Sequence, residues 1–203
     1  MDKILIVKIG GKLINDSHVL HRFLKSFAKI KTKKILIHGG GNQVTKMCKK
    51  LNLDIKIRNG RRITSIQDLE VATMIYAGSL NKTLVTKLQS FNCNSIGLSG
   101  ADANLIESVK RPVKEIDYGL VGDIKKINSI FLKNLIDENL TPVICSITHD
   151  KNGQLLNTNA DTISSEIAIS LSKYYIVNLI YCHEKNGVLS NPCLLYTSDA
   201  ADE

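Results

Sequence analysis

Residues 35–44 read ILIHGGGNQV, an apolar run that ends in three glycines and continues with helical spacing. A continuous apolar run of this length predicts a strand buried on both faces. Residues 4–11, ILIVKIGG, repeat the arrangement, and helical spacing follows them over residues 19–27. Two units of strand, glycine turn and helix predict a parallel sheet with crossover helices, so the fold class is α/β.

The rest of the chain continues this alternation of apolar runs and helical segments. Apolar and basic residues alternate over residues 53–64 around Asn59-Gly60, which predicts a β-hairpin. Ser65 is placed to cap a long helix over residues 66–91, with Leu69, Thr73, Ala77, Leu80, Leu84 and Leu88 on its inner face. Further strands are predicted near residues 95–98, 105–106, 123–124, 143–147 and 174–181, and a further helix over residues 159–171.

The composition is that of a globular protein with a sizeable core, since 43% of the 203 residues are hydrophobic. The net charge of +8 raises the question of nucleic acid binding. However, 22 of the 27 basic residues are lysines and only 5% of residues are aromatic, which disfavours base and phosphate recognition. Most of the lysines are predicted to be solvated, as at Lys25, Lys29, Lys31, Lys33 and Lys34. No nucleic acid partner is expected.

No apolar segment is long enough for a membrane span or a signal peptide, so no membrane partner and a cytoplasmic location are expected. The five cysteines are scattered, with no CxxC pair and no histidine at zinc spacing. A disulfide framework and a structural zinc site are therefore not expected.

The two glycine turns predict an anion site at the carboxyl edge of the sheet, because backbone N–H groups and helix dipoles meet there. Lys8, at the end of its strand, could add a cation. The alternative is that the glycines only form tight turns. The spacing of Gly10 and Gly11 is not that of a Walker loop, and Val44 stands where the dinucleotide fingerprint has glycine or alanine.

Three further features carry polar groups near these turns. The run from Asn157 to Asp161 has two amides and a carboxylate at a strand-to-helix junction, where a cap needs only one such group. Its alternatives are capping alone or a role in orienting lysines near a phosphate. For Arg62 the residues alone favour a solvated strand charge over a carboxylate clamp, and for His38 a turn residue over a base.

Taken together, five motifs in this order resemble the amino-acid kinase family, and within it the members that phosphorylate N-acylated glutamate: Lys8-Ile9-Gly10-Gly11, His38-Gly39-Gly40-Gly41, Asn59-Gly60-Arg61-Arg62, Gly97-Leu98-Ser99-Gly100 and Asn157-Thr158-Asn159-Ala160-Asp161. The resemblance extends over residues 1–192. It implies an open, mostly parallel sheet sandwiched by helices, with an incomplete nucleotide lobe. It also implies transfer of the ATP γ-phosphoryl group to the γ-carboxylate of N-acetyl-L-glutamate or another N-acylglutamate, in arginine biosynthesis.

On the phosphate side, the resemblance implies that Lys8 stabilises the transferring phosphoryl group. Gly10 and Gly11 correspond to the phosphate-side turn, and Asp161 to the carboxylate that positions the catalytic lysines. Mg²⁺ would be held through the ATP phosphates, with no protein metal site.

On the substrate side, Gly40 and Gly41 correspond to backbone contacts with the acylated substrate. Arg62 corresponds to the arginine that holds the α-carboxylate, and Asn157 to a second substrate contact. The acyl group, acetyl or succinyl, is left open. Other members of the family and a non-catalytic acylglutamate-binding module are the alternatives, and a homodimer of the complete protein is implied.

The domain prediction follows from the same resemblance. Residues 1–172 are expected to form the acylglutamate lobe, with a hairpin lid near residues 53–64, and residues 173–192 the start of a truncated ATP-binding lobe. The second catalytic lysine of the family would lie beyond them. Residues 193–203 resemble the translation of a sequencing-library adaptor and are expected to be an artefact, so the chain is expected to be a fragment with little activity.

Overall fold

The computed structural model describes residues 1–58 and 61–182, apart from the side chain of Lys12. The predicted Asn59-Gly60 turn lies outside these residues. So do residues 183–192 of the predicted start of the ATP-binding lobe and the predicted artefact at residues 193–203.

Eleven strands occur in the described residues: β1 (Lys3–Ile9), β2 (Lys33–His38), β3 (Ile57–Arg58), β4 (Arg61–Arg62), β5 (Ser95–Leu98), β6 (Ile106–Lys110), β7 (Gly122–Ile127), β8 (Thr141–Ile144), β9 (Ile147–His149), β10 (Leu155–Asn157) and β11 (Ile176–Tyr181). The α-helices of this part of the chain are α1 (Gly11–Asn15), α2 (Ser17–Lys29), α3 (Gly41–Lys50), α4 (Ile66–Thr73), α5 (Asn81–Ser90), α6 (Ser129–Asp137) and α7 (Ala160–Leu171).

The main sheet is parallel and has the strand order β11-β1-β2-β8-β5. Its register aligns the ends of three strands, since Ile9 pairs with His38 and Ile37 pairs with Ile144. The turns that follow β1, β2 and β8 therefore meet at one edge of the sheet, as the glycine turns predict.

Helices cover both faces of the main sheet. Ile4 and Ile6 of β1 pack with the apolar faces of α6 and α7. Val7 and Ile9 of the same strand pack with α2 and α5 on the opposite face. Because successive strand residues point to opposite faces, an apolar run buried on both sides fits a strand between two helical layers. The predicted α/β sandwich is confirmed.

A second sheet, with the order β10-β9-β6-β7, is mostly antiparallel, and β3 and β4 form a separate hairpin. The single strand predicted over residues 143–147 is wrong. The chain leaves the main sheet at Cys145 and joins the second sheet as β9. The apolar run gives no sign of this change because Cys145, Ser146 and Ile147 are all buried.

The long helix predicted over residues 66–91 consists of α4, a π-helical segment (Met74–Leu80) and α5 without interruption. The wider π-helical turns change which residues face inward. Tyr76 is therefore buried, whereas Thr73 and Ala77, which were predicted on the inner face, are partly exposed. Neither α6 nor the three-residue strand β10 was predicted.

The prediction of solvated lysines is confirmed for Lys25, Lys29 and Lys31 but wrong for Lys34. Lys34 lies in β2 and is buried, and its Nζ donates to the carbonyl oxygens of Ala28 and Ile30 at 2.9 and 2.6 Å. Burial lowers the pKa of this amine. The carbonyls at the end of α2 thus gain a buried donor.

The described part of the chain contains neither a disulfide bond nor a helix that could span a membrane. Cys48, Cys93, Cys145 and Cys182 are free thiols, and none of the helices is long and apolar enough to cross a membrane.

Candidate active site

A cavity of about 360 Å³ lies at the carboxyl edge of the parallel sheet. Its volume is within the usual range for small-molecule sites, and its position is where open α/β sheets bind ligands. The turns after β1 and β2, the β3–β4 hairpin and the junction of β10 with α7 line it. It brings together every site residue that the resemblance implies: Lys8, Gly10, Gly11, Gly40, Gly41, Arg62, Asn157 and Asp161.

Lys8 and Asp161 form an ion pair in this cavity. The Lys8 Nζ lies 2.8 Å from Asp161 Oδ1, and the lysine side chain is only 12% exposed. Lys8 occupies the end of β1, and Asp161 belongs to the first turn of α7. A carboxylate there is stabilised by the helix dipole. The pair holds the ammonium group at the cavity wall.

The polar run from Asn157 to Asp161 does more than cap a helix. Asn159 is the N-cap of α7, because its Oδ1 accepts from the N–H groups of Asp161 and Thr162 at 2.8 and 3.1 Å. The Asn157 Nδ2 donates to Thr64 Oγ1 at 3.1 Å. The capping-only alternative is therefore wrong, since the Asp161 carboxylate pairs with a lysine instead.

Glycine is required at position 40 of the cavity for steric reasons. Gly40 has φ +154°, and a Cβ there would lie 2.8 Å from Leu80 Cδ2 and 3.1 Å from Tyr76 Cε1. A Cβ on Gly10 would lie 3.4 Å from the Lys8 Nζ. Gly40 thus does more than form a tight turn, because it leaves room for Leu80 and Tyr76, whereas a Cβ on Gly10 would meet Lys8 only at ordinary contact distance.

Arg62 is held by two neighbouring elements. Its Nη1 lies 3.3 Å from Asp68 Oδ1, and its Nη2 donates to Thr45 Oγ1 at 2.5 Å. The arginine side chain is 9% exposed and the aspartate 5%. The interpretation as a solvated strand charge, which the residues alone favour, is wrong, because Asp68 of α4 draws the guanidinium inward.

Asp68 also fixes the start of α4. Its Oδ2 accepts from the backbone N–H and the hydroxyl of Ser65, and the Ser65 Oγ accepts from the Asp68 N–H. This is a capping box, with Asp68 at the third helical position. One carboxylate therefore links the helix start to the position of Arg62.

His38 is a buried residue at the end of β2, so the expected turn position is wrong. Its Nδ1 donates to the Gly39 carbonyl at 3.0 Å, and its Nε2 accepts from Asn81 Nδ2 at 3.1 Å. Burial lowers the pKa of His38 to about 4, so the ring is neutral near pH 7. Ser146 Oγ donates to the His38 carbonyl at 2.9 Å. These contacts fix the backbone before Gly40.

Tyr76 and Arg111 also line the cavity, and no sequence pattern predicts that they do. Burial raises the pKa of Tyr76 to about 12, which leaves a neutral phenol against the glycine turn. Arg111 follows β6, and its guanidinium pairs with Asp123 at 2.6 Å. Both reach the cavity through the tertiary fold, from a predicted helix and from a loop.

The site combines cations with neutral hydrogen-bonding groups, and it suits a small molecule with more than one anionic group. Among residues 1–58 and 61–182, no group of three or more His, Cys, Asp or Glu side chains is placed to hold a metal ion.

Comparisons with known proteins agree with this geometry. The model of the amino acid kinase family matches residues 3–194. The chain is 50% identical to the acetylglutamate kinase of Cytophaga hutchinsonii over 190 residues, which is 93% of this chain and 72% of that protein. It is 48% identical to the acetylglutamate kinase of Bacteroides fragilis, over 93% and 72% of the two chains.

The solved structure of smu.665 from Streptococcus mutans UA159 has the same fold, with a TM-score of 0.79 and 25% identity over 93% of this chain and 75% of that one. The site geometry, the family match and the identity to curated relatives agree. The chain is an enzyme of the amino acid kinase family, and within that family it belongs with the acetylglutamate kinases.

Proposed function

We propose that this chain carries the acylglutamate site of an ATP-dependent kinase that phosphorylates the γ-carboxylate of an N-acylated glutamate. The observation that supports this best is the cavity that holds both the Lys8–Asp161 pair and the buried Arg62. The relatives named acetylglutamate kinase support the same substrate class.

In this proposal Arg62 binds the substrate α-carboxylate. The Arg62 Nη1 donates a hydrogen bond to Asp68, and other N–H groups of the guanidinium remain available for a ligand. Asn157 adds a second contact from β10, and the N–H groups of Gly40 and Gly41 bind the acylated end. Asp68 already compensates part of the charge of Arg62. The site therefore selects the ligand carboxylate by its position as well as by its charge.

The reaction makes small chemical demands on the protein. An oxygen of the ionised γ-carboxylate attacks the γ-phosphorus of ATP, and the bond from that phosphorus to the bridging oxygen of ADP breaks. The products are an acyl phosphate and ADP, and no proton has to be removed from the nucleophile. The protein must align two anions and neutralise charge. In this proposal Lys8 performs that task, which is supported by its ion pair with Asp161 beside the turn of Gly10 and Gly11.

ATP is the phosphoryl donor in this proposal, and Mg²⁺ supplies charge neutralisation when it is bound to the ATP phosphates. In this proposal residues 1–172 form the acylglutamate part, which is supported by a cavity lining that runs from Lys8 to Asp161. The homodimer implied by the resemblance stays a prediction.

Calorimetric titration of the chain with N-acetyl-L-glutamate and with L-glutamate tests the substrate class. We expect the acylated ligand to bind more tightly, and Arg62→Gln to weaken it by about tenfold or more, because one charge-assisted pair is lost. Arg58→Gln, on the same hairpin but outside the cavity, is the matched control. Equal binding of the two ligands would contradict the proposal.

An assay of ADP release separates the kinase from a non-catalytic binding module. Release that depends on N-acetyl-L-glutamate supports the kinase. Tight acylglutamate binding without ADP release, in the chain extended to the length of its relatives, would favour the module instead.

A further inference from the structure

A buried asparagine at the start of α5 contacts the strand that leads into the second glycine turn. Asn81 is 1% exposed. Its Nδ2 donates to the carbonyl oxygen of Val143 at 2.9 Å and to Nε2 of His38 at 3.1 Å. The amide therefore uses both of its N–H bonds on β8 and β2, which are neighbours in the main sheet. Because a buried amide needs its partners, its position depends on these two acceptors.

These contacts determine which nitrogen of His38 carries the proton. A carbonyl oxygen can only accept, so the Asn81 atom that faces Val143 is the amide nitrogen and not the amide oxygen. The same NH₂ group faces His38 Nε2, which is then an acceptor, so the neutral ring has its proton on Nδ1. That N–H donates to the carbonyl oxygen of Gly39 at 3.0 Å. The orientation of one amide thus fixes the tautomer of the histidine.

The Gly39 carbonyl in turn sets the direction of the next N–H group. A trans peptide is planar and holds its C=O and N–H on opposite sides, and no cis peptide bond occurs in the described part of the chain. With the Gly39 oxygen held by the His38 ring, the Gly40 N–H points away from that ring. Gly40 lines the cavity of the proposed acylglutamate site, or acylglutamate cavity, and its N–H donates to none of the described residues. This N–H is therefore available to a ligand.

The absence of a side chain at position 97 makes room for the asparagine. A Cβ on Gly97, in the edge strand β5, would overlap the Asn81 Oδ1 and lie 3.0 Å from its Cγ. Because two acceptors hold the Asn81 amide, the side chain cannot move aside without losing one of them. Gly97 begins the motif Gly97-Leu98-Ser99-Gly100, to which the proposed function gives no role. Its contact with Asn81 supplies one.

We propose that Asn81 is a positioning residue for the acylglutamate site. It acts through the His38 ring and the Gly39 carbonyl on the direction of the Gly40 N–H, and Gly97 keeps free the space that its side chain occupies. This inference rests on the proposed function, in which the Gly40 N–H binds the substrate.

Asn81→Asp tests the first step with little change in side-chain shape. The carboxylate has no N–H group, and the imidazole is more basic than a carboxylate, so His38 should then carry a proton on Nε2. NMR of the chain with 15N-labelled histidine reports which ring nitrogen is protonated, and His38→Gln identifies the signal. We expect the Nδ1–H tautomer in the unsubstituted chain and a protonated Nε2 in Asn81→Asp. The same Nδ1–H tautomer in both chains would overturn the proposal.

Ligand affinity tests the second step, from the tautomer to the site. Calorimetric titrations use N-acetyl- and N-succinyl-L-glutamate, since the acyl group is left open. Asn81→Asp and Gly97→Ala should each weaken binding by about tenfold, which is the value of one hydrogen bond. Gln89→Ala is the matched control, because the Gln89 amide lies further along the same helix and donates to the carbonyl of Ser95 in β5 at 3.0 Å. It should change neither the affinity nor the tautomer of His38.

The outcomes distinguish this inference from the function on which it rests. If a ligand binds the unsubstituted chain and binds folded Asn81→Asp equally well, the positioning role is refuted and the acylglutamate site stands. An equal loss in Gln89→Ala refutes it as well, because the loss would then reflect a general loosening of α5. If neither ligand binds the unsubstituted chain, the proposed function fails and Asn81 has no site to position. Should Gly97→Ala not fold, Asn81→Asp alone decides.

Discussion

Replacement of Asp68 by alanine tests whether one buried carboxylate holds both the start of α4 and Arg62, the arginine that lines the cavity. The Asp68 and Arg62 side chains are 5% and 9% exposed. Removal of the aspartate leaves the guanidinium with Thr45 as its only other side-chain partner among the described residues. The loss of one partner from a buried ion pair costs about 3–5 kcal/mol of unfolding free energy.

Asp68→Asn divides this cost into its two parts. The asparagine keeps a carbonyl oxygen that can accept from Ser65, so the start of α4 is largely preserved. The negative charge beside Arg62 is lost, and a hydrogen bond to a charged group is worth about 1.5–3 kcal/mol. We therefore expect a smaller loss of stability for Asp68→Asn than for Asp68→Ala.

Urea unfolding followed by circular dichroism at pH 7 measures both free energies. Asp54→Ala is a matched control, because Asp54 pairs with Lys56 on the surface, where both side chains are more than half exposed. Its effect should stay within about 0.5 kcal/mol. A loss of less than about 1 kcal/mol for Asp68→Ala, or equal losses for Asp68→Ala and Asp54→Ala, would refute the reasoning.

Three other predictions follow from the site. In the chain extended to the length of its relatives, Lys8→Ala should lower turnover in the ADP-release assay by about 10²–10³-fold, as loss of one preorganised donor does, and an unchanged rate would remove Lys8 from the mechanism. Gly40→Ala should lower the free energy of unfolding by about 1–3 kcal/mol through crowding against Leu80 and Tyr76. Gly78→Ala, with no atom within 4 Å of the added Cβ, should raise it by up to about 1 kcal/mol; similar melting temperatures for the two variants would contradict this. Because the pKa of His38 falls to about 4 on folding, the unfolded chain takes up a proton that the folded chain does not, so about 3 kcal/mol of stability present above pH 6.5 is lost as the pH falls towards 4. His38→Gln should flatten this dependence in urea titrations at several pH values, and an unchanged slope would assign it to other groups.

The fold class and the location of the site were predictable because they depend on local patterns. The glycines after residues 4–9 and 35–38 end two apolar runs, and parallel strands carry such turns to one edge of a sheet. The motif resemblance then named eight residues that all line one cavity. The β3–β4 hairpin borders that cavity through Arg61 and Arg62, where the alternation of residues 53–64 predicted it.

The errors occur where burial depends on distant elements. Arg62 lies in a polar, alternating segment, and only the packing of α4 against the hairpin places Asp68 beside it. Lys34 is buried because the carbonyls at the end of α2 accept from its amine. The π-helical segment turns Tyr76 towards the core. The prediction assumed a regular α-helical period, which places other residues on the inner face.

The amino-acid sequence by itself determined the α/β class, the two glycine turns at the sheet edge and the position of Lys8 at the end of its strand, because each depends on residues close together in the chain. The tertiary structure alone decided which charges meet. It pairs Lys8 with Asp161 and Arg62 with Asp68, and it brings Arg111 to the boundary of the acylglutamate cavity. Such pairings arise from the packing of separate elements, and residues far apart in the chain have no local signal of the distance that folding leaves between them.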